Sequence, residues 1–81
     1  MKMLALLLLM ISLLFGVVDI NSASLKELKT LKGIGKVKAR AIVDFRKSHC
    51  FKSIIELTLV KGIGKRTLEK NRENLSTGTC K

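Results

Sequence analysis

The 81-residue sequence contains no proline, tryptophan or tyrosine, and it has only six acidic residues, one histidine and two cysteines. So few carboxylates, imidazoles and thiols leave little material for a metal site or a hydrolytic active site, and we expect neither an enzyme nor a bound cofactor. Three phenylalanines supply all of its large aromatic side chains, so platforms for stacking planar ligands are scarce. By contrast, 16 lysines and arginines give a formal net charge of +10. This charge predicts a polyanionic partner: nucleic acid, an anionic membrane surface or an acidic protein.

The positive charge and the longest apolar run occupy different parts of the chain. Residues 3–18 are apolar apart from Ser12 and Gly16, whereas 15 of the 16 cations lie from Lys26 onward. Without the first 16 residues, 65 remain, and they carry a net charge of +9. This region has the size of one small domain, whose core gives marginal stability unless a covalent link or a ligand adds to it.

The N-terminal segment has the pattern of an export signal, a lysine at position 2 followed by an apolar run. The run is shorter than the ~20 residues of a transmembrane helix, and Leu14 departs from the small-residue pattern before a cleavage site at Gly16. We expect residues 1–17 to be either a cleaved signal peptide or a membrane anchor formed by residues 3–18. A buried core helix is disfavoured, because Ser12 alone cannot provide a polar face. Both outcomes predict an exported protein, either periplasmic or anchored to the outer face of the cytoplasmic membrane.

An internal repeat organises the rest of the chain. Residues 25–36 read LKELKTLKGIGK and residues 54–65 read IIELTLVKGIGK. At an offset of 29 residues, seven of these twelve positions are identical, including the whole of Lys-Gly-Ile-Gly-Lys. A match of this length is not expected by chance, so the two segments should form equivalent structures.

Each copy is predicted to form a helix, a tight hairpin and a second helix. Ser-x-x-Glu capping boxes start at Ser24 and Ser53 and predict first helices over about 25–30 and 54–59. Gly-Ile-Gly ends each first helix, because glycine adopts backbone angles that other residues resist. Second helices are then expected over 36–48 and 65–75, with core-facing residues Val37, Ala41, Ile42 and Phe45 in the first copy and Leu68 and Leu75 in the second. Residues 48–53 connect the copies, so the sequence predicts an all-α fold of about four or five short helices.

The two hairpins have the features of an anion-binding site. Their glycines let the backbone approach a ligand, and the following helix begins with unpaired N–H groups and the positive end of its dipole. One such motif is usually just a turn, but two matched copies, each followed by a lysine, favour a DNA phosphate over a merely solvated surface. The candidate DNA-binding residues are Gly33, Ile34, Gly35, Lys36, Lys38, Arg40, Gly62, Ile63, Gly64, Lys65 and Arg66. The side chains of Ile34 and Ile63 are expected to point inward.

These residues resemble the tandem helix-hairpin-helix domain of ComEA-type competence proteins. The resemblance covers residues 18–75 and rests on Val18–Ser24, Leu31–Gly35, Ala39, Ala41, Ile42, Phe51–Ser53, Leu57 and Val60–Gly64. It implies two pseudo-symmetric units, about 24–48 and 53–75, followed by a tail over 76–81.

The resemblance also implies a function. Members of that family are exported and bind DNA outside the cytoplasmic membrane, and they help to draw it in during natural transformation. Tandem units of this kind grip the phosphate backbone of double-stranded DNA from the minor-groove side without reading sequence. For this chain the resemblance implies a DNA receptor or ratchet that also contacts the uptake machinery. The four hairpin glycines would present amides to phosphates, with Lys36 and Lys65 beside them.

Three positions depart from the family pattern. Lys32 stands where proline often precedes the first Gly-Ile-Gly, which adds charge and removes rigidity. His49 and Cys50 stand where a glycine commonly precedes Phe51, so His49 is expected to adopt an unusual backbone angle unless the linker differs in shape. Asn71 replaces the apolar residue that the repeat predicts from Ile42, which predicts looser packing in the second unit.

The two cysteines suggest one disulfide, because the domain is small and predicted to be exported. A Cys50–Cys80 bridge would close a loop of about 30 residues and contribute roughly 3–4 kcal/mol. Two independent thiols are the alternative. A metal site at His49 and Cys50 is disfavoured, because too few further ligands lie nearby in the sequence.

Two other functions compete with DNA uptake. A basic envelope protein could bind anionic membrane surfaces or acidic polymers, but that role requires distributed cations rather than two matched glycine hairpins. A repair nuclease or glycosylase would need catalytic residues in additional domains. Because no aromatic residue is placed for base stacking, we expect duplex DNA to bind better than single strands. The sequence does not decide whether the carbonyl groups of the hairpins bind a monovalent cation.

Overall fold

The computed structural model describes residues 17–78 and Cys80. In chain order the elements are strand β1 (Val18–Asp19), helix α1 (Leu25–Leu28), helix α2 (Lys36–Phe45), the 3₁₀ helix η1 (Ile54–Leu59), helix α3 (Lys65–Asn71), the 3₁₀ helix η2 (Arg72–Asn74) and strand β2 (Leu75–Ser76). The expectation of a helix-rich fold is confirmed. The strand pair is the exception to the all-α prediction.

The predicted export or anchor segment lies almost entirely outside the described residues. Val18, at its end, belongs to the domain, since its side chain is buried in the core. Within the described part of the chain, the helices are all too short to cross a membrane.

The two capping sequences form different helix starts. Ser24 makes the full capping box: its hydroxyl accepts a hydrogen bond from the Glu27 N–H at 3.1 Å, and the Glu27 carboxylate accepts one from the Ser24 N–H at 3.0 Å. Ser53 instead accepts from the Ile55 N–H, and the Glu56 carboxylate accepts from the Lys52 N–H. In the second copy each of the two bonded N–H groups thus belongs to the residue one position earlier than in the first copy. The segment that follows Ser53 is a 3₁₀ helix.

The glycine hairpins form as the sequence predicts. Gly33 and Gly62 adopt φ angles of 76° and 91°, a left-handed region that favours glycine. The Ile34 and Ile63 N–H groups bond back to the carbonyls at the ends of the preceding turns. Both isoleucine side chains are 3% exposed, so they anchor the hairpins in the core.

The second helix of each copy is shorter than predicted. Helix α2 ends at Phe45, and helix α3 gives way to 3₁₀ geometry after Asn71. Leu75 is buried as predicted, but it lies in strand β2 because the chain has already left the helix there. The prediction for Val37 was wrong: its side chain is 83% exposed, because the buried face of α2 runs through Ala39 and Ile42 instead.

A short parallel strand pair joins the two ends of the domain. Val18 pairs with Leu75 and Asp19 with Ser76. The Asp19 carboxylate accepts hydrogen bonds from the N–H groups of Asn21 and Gly78, at 2.8 and 3.0 Å. Strands of two residues carry no periodic pattern in the sequence, which is why this pair was not predicted.

The linker between the copies is packed into the same core. Phe51 is fully buried, and the Asn21 side chain pairs with both its N–H and its carbonyl oxygen, at 2.8 and 2.9 Å. The predicted Cys50–Cys80 disulfide is present, with its Cα atoms 5.7 Å apart. The expectation of an unusual angle at His49 was wrong, since every described residue with positive φ is a glycine.

One hydrophobic core unites both copies. It contains Val18, Ile20, Ala23, Leu28, Leu31, Ile34, Ala39, Ile42, Phe51, Leu57, Val60, Ile63, Leu68 and Leu75. Because matched positions of the two copies enter the same core, both hairpins are anchored in it.

Candidate nucleic-acid interface

The helices after the two hairpins begin without a side-chain cap. Gly35 and Gly64 are their N-cap residues, both in extended conformation, and neither position has a side chain that could accept from the first turn. The helices that begin after Ser24 and Ser53 are capped by those hydroxyls. The hairpin helices therefore leave N–H groups of their first turns available to an external acceptor.

Space is open in front of both N-cap glycines. A β-carbon placed on Gly35 or Gly64 would have no other described atom within 4 Å, apart from its chain neighbours. Neither residue needs a left-handed φ, with values of −95° and −103°. The fold itself thus does not require glycine at these two positions, whereas it does at Gly33 and Gly62.

Each hairpin lies against the second helix of the other copy. A β-carbon on Gly62 would lie 3.9 Å from the aliphatic carbons of Lys38, and one on Gly33 would lie 3.9 Å from Thr67. Thr67 is the residue 29 positions after Lys38, which is the repeat offset. The exchange is therefore symmetrical, and it places the Lys38 ammonium group close to the second hairpin.

The structure separates the predicted site residues by exposure. Lys38 is half-buried, while the exposed members are Gly33, Gly35, Lys36, Arg40, Gly62, Gly64, Lys65 and Arg66. Ile34 and Ile63 can contribute only main-chain atoms, because their side chains are in the core. Lys32 and Lys61, which precede the two turns, are also exposed. Both lysines belong to the identical Lys-Gly-Ile-Gly-Lys run, so the repeat itself could have indicated them as further candidate contacts.

The candidate cations are free of ion pairs within the described residues. Ion pairs in this part of the chain join Asp44 to Lys47 and Glu69 to Arg72, and His49 lies 3.5 Å from Glu56. The hydrogen bond from Arg72, followed by its charge, lowers the pKa of Glu69. The charge of Lys65, one turn earlier on α3, also lowers the pKa of Glu69, as the last of the causes, but within the described residues Lys65 forms no ion pair with Glu69. The positive field of the hairpin lysines is therefore directed to solvent.

Asn71 was misjudged from the sequence. It is 1% exposed, and its carboxamide accepts from the Lys32 N–H and donates to the carbonyl oxygens of Lys32 and Thr67. The expected looser packing is therefore wrong: the polar side chain joins the second copy to the residue before the first hairpin. No local pattern could reveal this bond, because its partners are 39 residues apart.

The described residues contain no group of three or more side chains suited to bind a metal ion. The chemistry available at this surface consists of backbone N–H groups and lysine or arginine side chains. Such groups recognise anions by hydrogen bonding and charge.

Comparison with known proteins matches residues 15–76 to the family described as the helix-hairpin-helix motif. A protein of Haemophilus influenzae called an uncharacterized protein is 49% identical over 59 residues, 70% of this chain and 53% of that protein. ComE operon protein 1 of Bacillus subtilis is 38% identical over 62 residues, 75% of this chain and 30% of that protein. Endonuclease/exonuclease/phosphatase family domain-containing protein 1 of Homo sapiens is 42% identical over 53 residues, 64% of this chain but 9% of that protein. The chain thus spans about half or less of the length of these relatives.

Proposed function

This chain belongs to the helix-hairpin-helix family, and from that premise we propose that it binds double-stranded DNA through the phosphate backbone. The similarity to ComE operon protein 1 also confirms the resemblance to ComEA-type competence proteins. We propose that the chain is not an enzyme. The similarity to a protein with a nuclease-family name covers 9% of that protein and leaves the rest of its length unmatched.

The observation that carries this proposal is the pair of uncapped helix starts beside Gly35 and Gly64. Each offers first-turn N–H groups, open space for a phosphate and an adjacent lysine, Lys36 or Lys65. A phosphate oxygen accepts hydrogen bonds from N–H groups, and the lysine charge offsets that of the phosphate. The two hairpins act as tandem units, each taking a phosphate of opposite strands across the minor groove.

Such contacts give affinity without sequence preference. They involve phosphates and not base edges, so they carry no direct information about the bases. Phe45 stacks on Phe51, which is fully buried, so this pair does not offer a platform for unpaired bases. Duplex DNA is therefore the preferred ligand. With about 4–6 phosphates neutralised, log affinity falls against log salt with a slope of roughly −4 to −5.

We propose a role in DNA uptake during natural transformation, which the resemblance to ComEA-type competence proteins supports. In this role the chain is exported through its N-terminal apolar segment, and it remains periplasmic or anchored outside the cytoplasmic membrane. It then acts as a receptor or ratchet that holds incoming DNA and contacts the uptake machinery. Deletion of the coding sequence tests this role: transformation and the amount of DNA protected outside the inner membrane should both fall. Normal uptake would remove the competence role and leave DNA binding unaffected.

DNA binding is tested by a charge reversal at the hairpins. The double variant Lys36→Glu with Lys65→Glu should lose most of its affinity for a random-sequence duplex. Lys47→Glu with Lys70→Glu makes the same net-charge change at exposed positions away from the two turns, and it should bind far better. Equal losses in the two variants would show that only overall charge matters.

The same protein should be measured with anionic liposomes and with a second duplex of different sequence. Stronger binding to liposomes than to duplex would favour the alternative role, a basic envelope protein that binds anionic membrane surfaces or acidic polymers. A strong preference for one duplex sequence would contradict backbone recognition.

A further inference from the structure

We propose that Asn71 is a positioning residue for DNA binding: its buried carboxamide fixes the second unit to the first hairpin, so that both hairpins reach one duplex together. The inference rests on the proposed function. It concerns how two phosphate sites are held at a fixed separation, and Asn71 itself does not touch DNA.

The carboxamide of Asn71 is fully used. Its oxygen lies 2.8 Å from the Lys32 nitrogen, and its nitrogen lies 2.8 Å from the Lys32 carbonyl oxygen and 2.9 Å from that of Thr67. One acceptor and two donors are thus satisfied within the protein. Two of these bonds hold a single backbone residue by both of its polar groups, much as a neighbouring strand would.

The residue that Asn71 holds is adjacent to the first hairpin. Lys32 directly precedes Gly33, and Asn71 lies on α3, whose first residue, Lys65, follows the second hairpin. Thr67, one turn before Asn71, lies against Gly33 itself. Helix α3 therefore fixes the first hairpin at two neighbouring points while its own N-terminus forms part of the second.

The repeat provides an internal control for this interpretation. The equivalent of Asn71 in the first copy is Ile42, which is fully buried and apolar. An apolar side chain can therefore serve as the core residue at this place in the fold. A buried amide is costly unless it is hydrogen-bonded, so packing alone does not explain asparagine here. What the amide adds is a directional connection to Lys32.

A fixed separation matters because the two hairpins act on one rigid ligand. When the first phosphate is bound, the second hairpin meets its phosphate at a high effective concentration, provided that the geometry allows both contacts. Loosening the connection lowers that concentration without removing either hairpin. The expected signature is a smaller number of phosphates neutralised at once, which the salt dependence of binding measures directly.

The test uses the full disulfide-bonded chain in a non-ionic detergent, with a random-sequence duplex as the probe. The variant Asn71→Leu replaces the carboxamide with an apolar side chain of similar size that cannot bond to Lys32. We expect its affinity to fall about tenfold and its salt slope to move from roughly −4 to −5 toward about −2. Ile42→Val changes the equivalent core position and should leave the slope unchanged. Asn71→Ser, which introduces a small polar hydroxyl that cannot bond to both Lys32 groups, should behave like the leucine variant.

Amide hydrogen exchange gives a readout that needs no DNA. The Lys32 amide should be protected in the wild-type protein and exchange faster in both Asn71 variants. Wild-type protection without any duplex binding would refute the proposed function while leaving the Asn71 connection in place. Folded variants with wild-type affinity and slope would overturn the positioning role. Failure of both variants to fold would overturn it too, since Asn71 would then be a core folding determinant.

Discussion

The aliphatic part of Lys38, on the helix after the first glycine hairpin, lies against Gly62 in the second hairpin. Thr67 and Gly33 make the reciprocal contact. Each candidate phosphate site therefore borders residues from both copies of the repeat. The domain cannot be divided into two independent binding units, because neither hairpin keeps its surroundings without the other copy.

The contact of Lys38 with Gly62 predicts that the aliphatic stem of Lys38 contributes to stability and that its charge contributes to DNA affinity. Lys38→Met keeps an unbranched apolar chain over Gly62, so the thermal unfolding midpoint should stay near that of the wild type. Its DNA affinity should fall, with the salt slope reduced by about 1. Lys38→Ala should show the same fall in DNA affinity and in salt slope. It should also unfold at a lower temperature, because it removes the aliphatic stem that lies against Gly62. An unchanged slope in both variants would place the Lys38 ammonium group outside the DNA site.

The hairpin glycines should divide into two classes. Gly33→Ala places a side chain at φ 76° and should cost about 1–2 kcal/mol of unfolding free energy. Gly35→Ala meets open space and an extended backbone, so its stability should lie within about 0.5 kcal/mol of the wild type.

DNA affinity should rank the two alanine variants the other way round: when both are folded, Gly35→Ala should bind DNA more weakly than Gly33→Ala, although it is the more stable of the two. The added methyl group at Gly35 would stand where the phosphate approaches and should weaken binding about tenfold, the equivalent of one charged hydrogen bond. Denaturant unfolding and duplex titration measure the two effects. The same comparison at Gly62 and Gly64 is a replicate within the molecule. A Gly35→Ala variant that is stable and binds normally would remove the backbone phosphate site there.

The disulfide should stabilise the domain by closing a long loop. Cys50→Ser with Cys80→Ser removes a bridge between residues separated by 30 positions, and it should cost about 3–4 kcal/mol. Urea unfolding of the oxidised protein and the double variant measures this difference. DNA affinity should be unchanged when both are folded, since neither cysteine borders a hairpin. A thiol titration that finds two free thiols in the unreduced protein would contradict the bridge.

The Asp19 carboxylate should make stability depend on pH. Burial acts to raise its pKa, but the hydrogen bonds from Gly78, Asn21 and Ser22 and the charge of Arg46 together outweigh this effect, so the pKa lies below the ordinary value. A carboxylate with a lowered pKa stabilises the folded state above its unfolded pKa of about 3.9, and that contribution disappears as pH falls through the folded value. Asp19→Asn should therefore be less stable than the wild type at pH 7, and the difference should vanish in acid.

The unfolding free energies of wild type and Asp19→Asn, measured from pH 7 down to below 4, test this prediction. Asp44→Asn is the control, because Asp44 is exposed and, within the described part of the chain, forms an ion pair only with Lys47, at 3.5 Å. It should give a small difference at neutral pH. A constant difference between wild type and Asp19→Asn at every pH would show that the carboxylate charge does not contribute.

Local chemistry made much of the candidate site predictable. The left-handed φ of Gly33 and the capping box at Ser24 depend on residues within one or two turns, and both formed as expected. Val37 shows where such reasoning fails. A helical apolar pattern does not say which stripe faces the core when small residues such as Ala39 allow closer packing, and Val37 proved exposed.

The duplicated Gly-Ile-Gly-Lys run was enough to predict two hairpins and where each following helix begins, because the glycine angles and the unpaired first-turn amides are local properties. The relation between the hairpins was not contained in either copy. It depends on the bond from Asn71 to Lys32 across 39 residues, on the contact of Lys38 with Gly62, and on the strand pair that joins Val18 to Leu75. The partners in these interactions meet only when the chain is folded. The arrangement of the two candidate phosphate sites is therefore set by the packing of the domain and not by a sequence pattern.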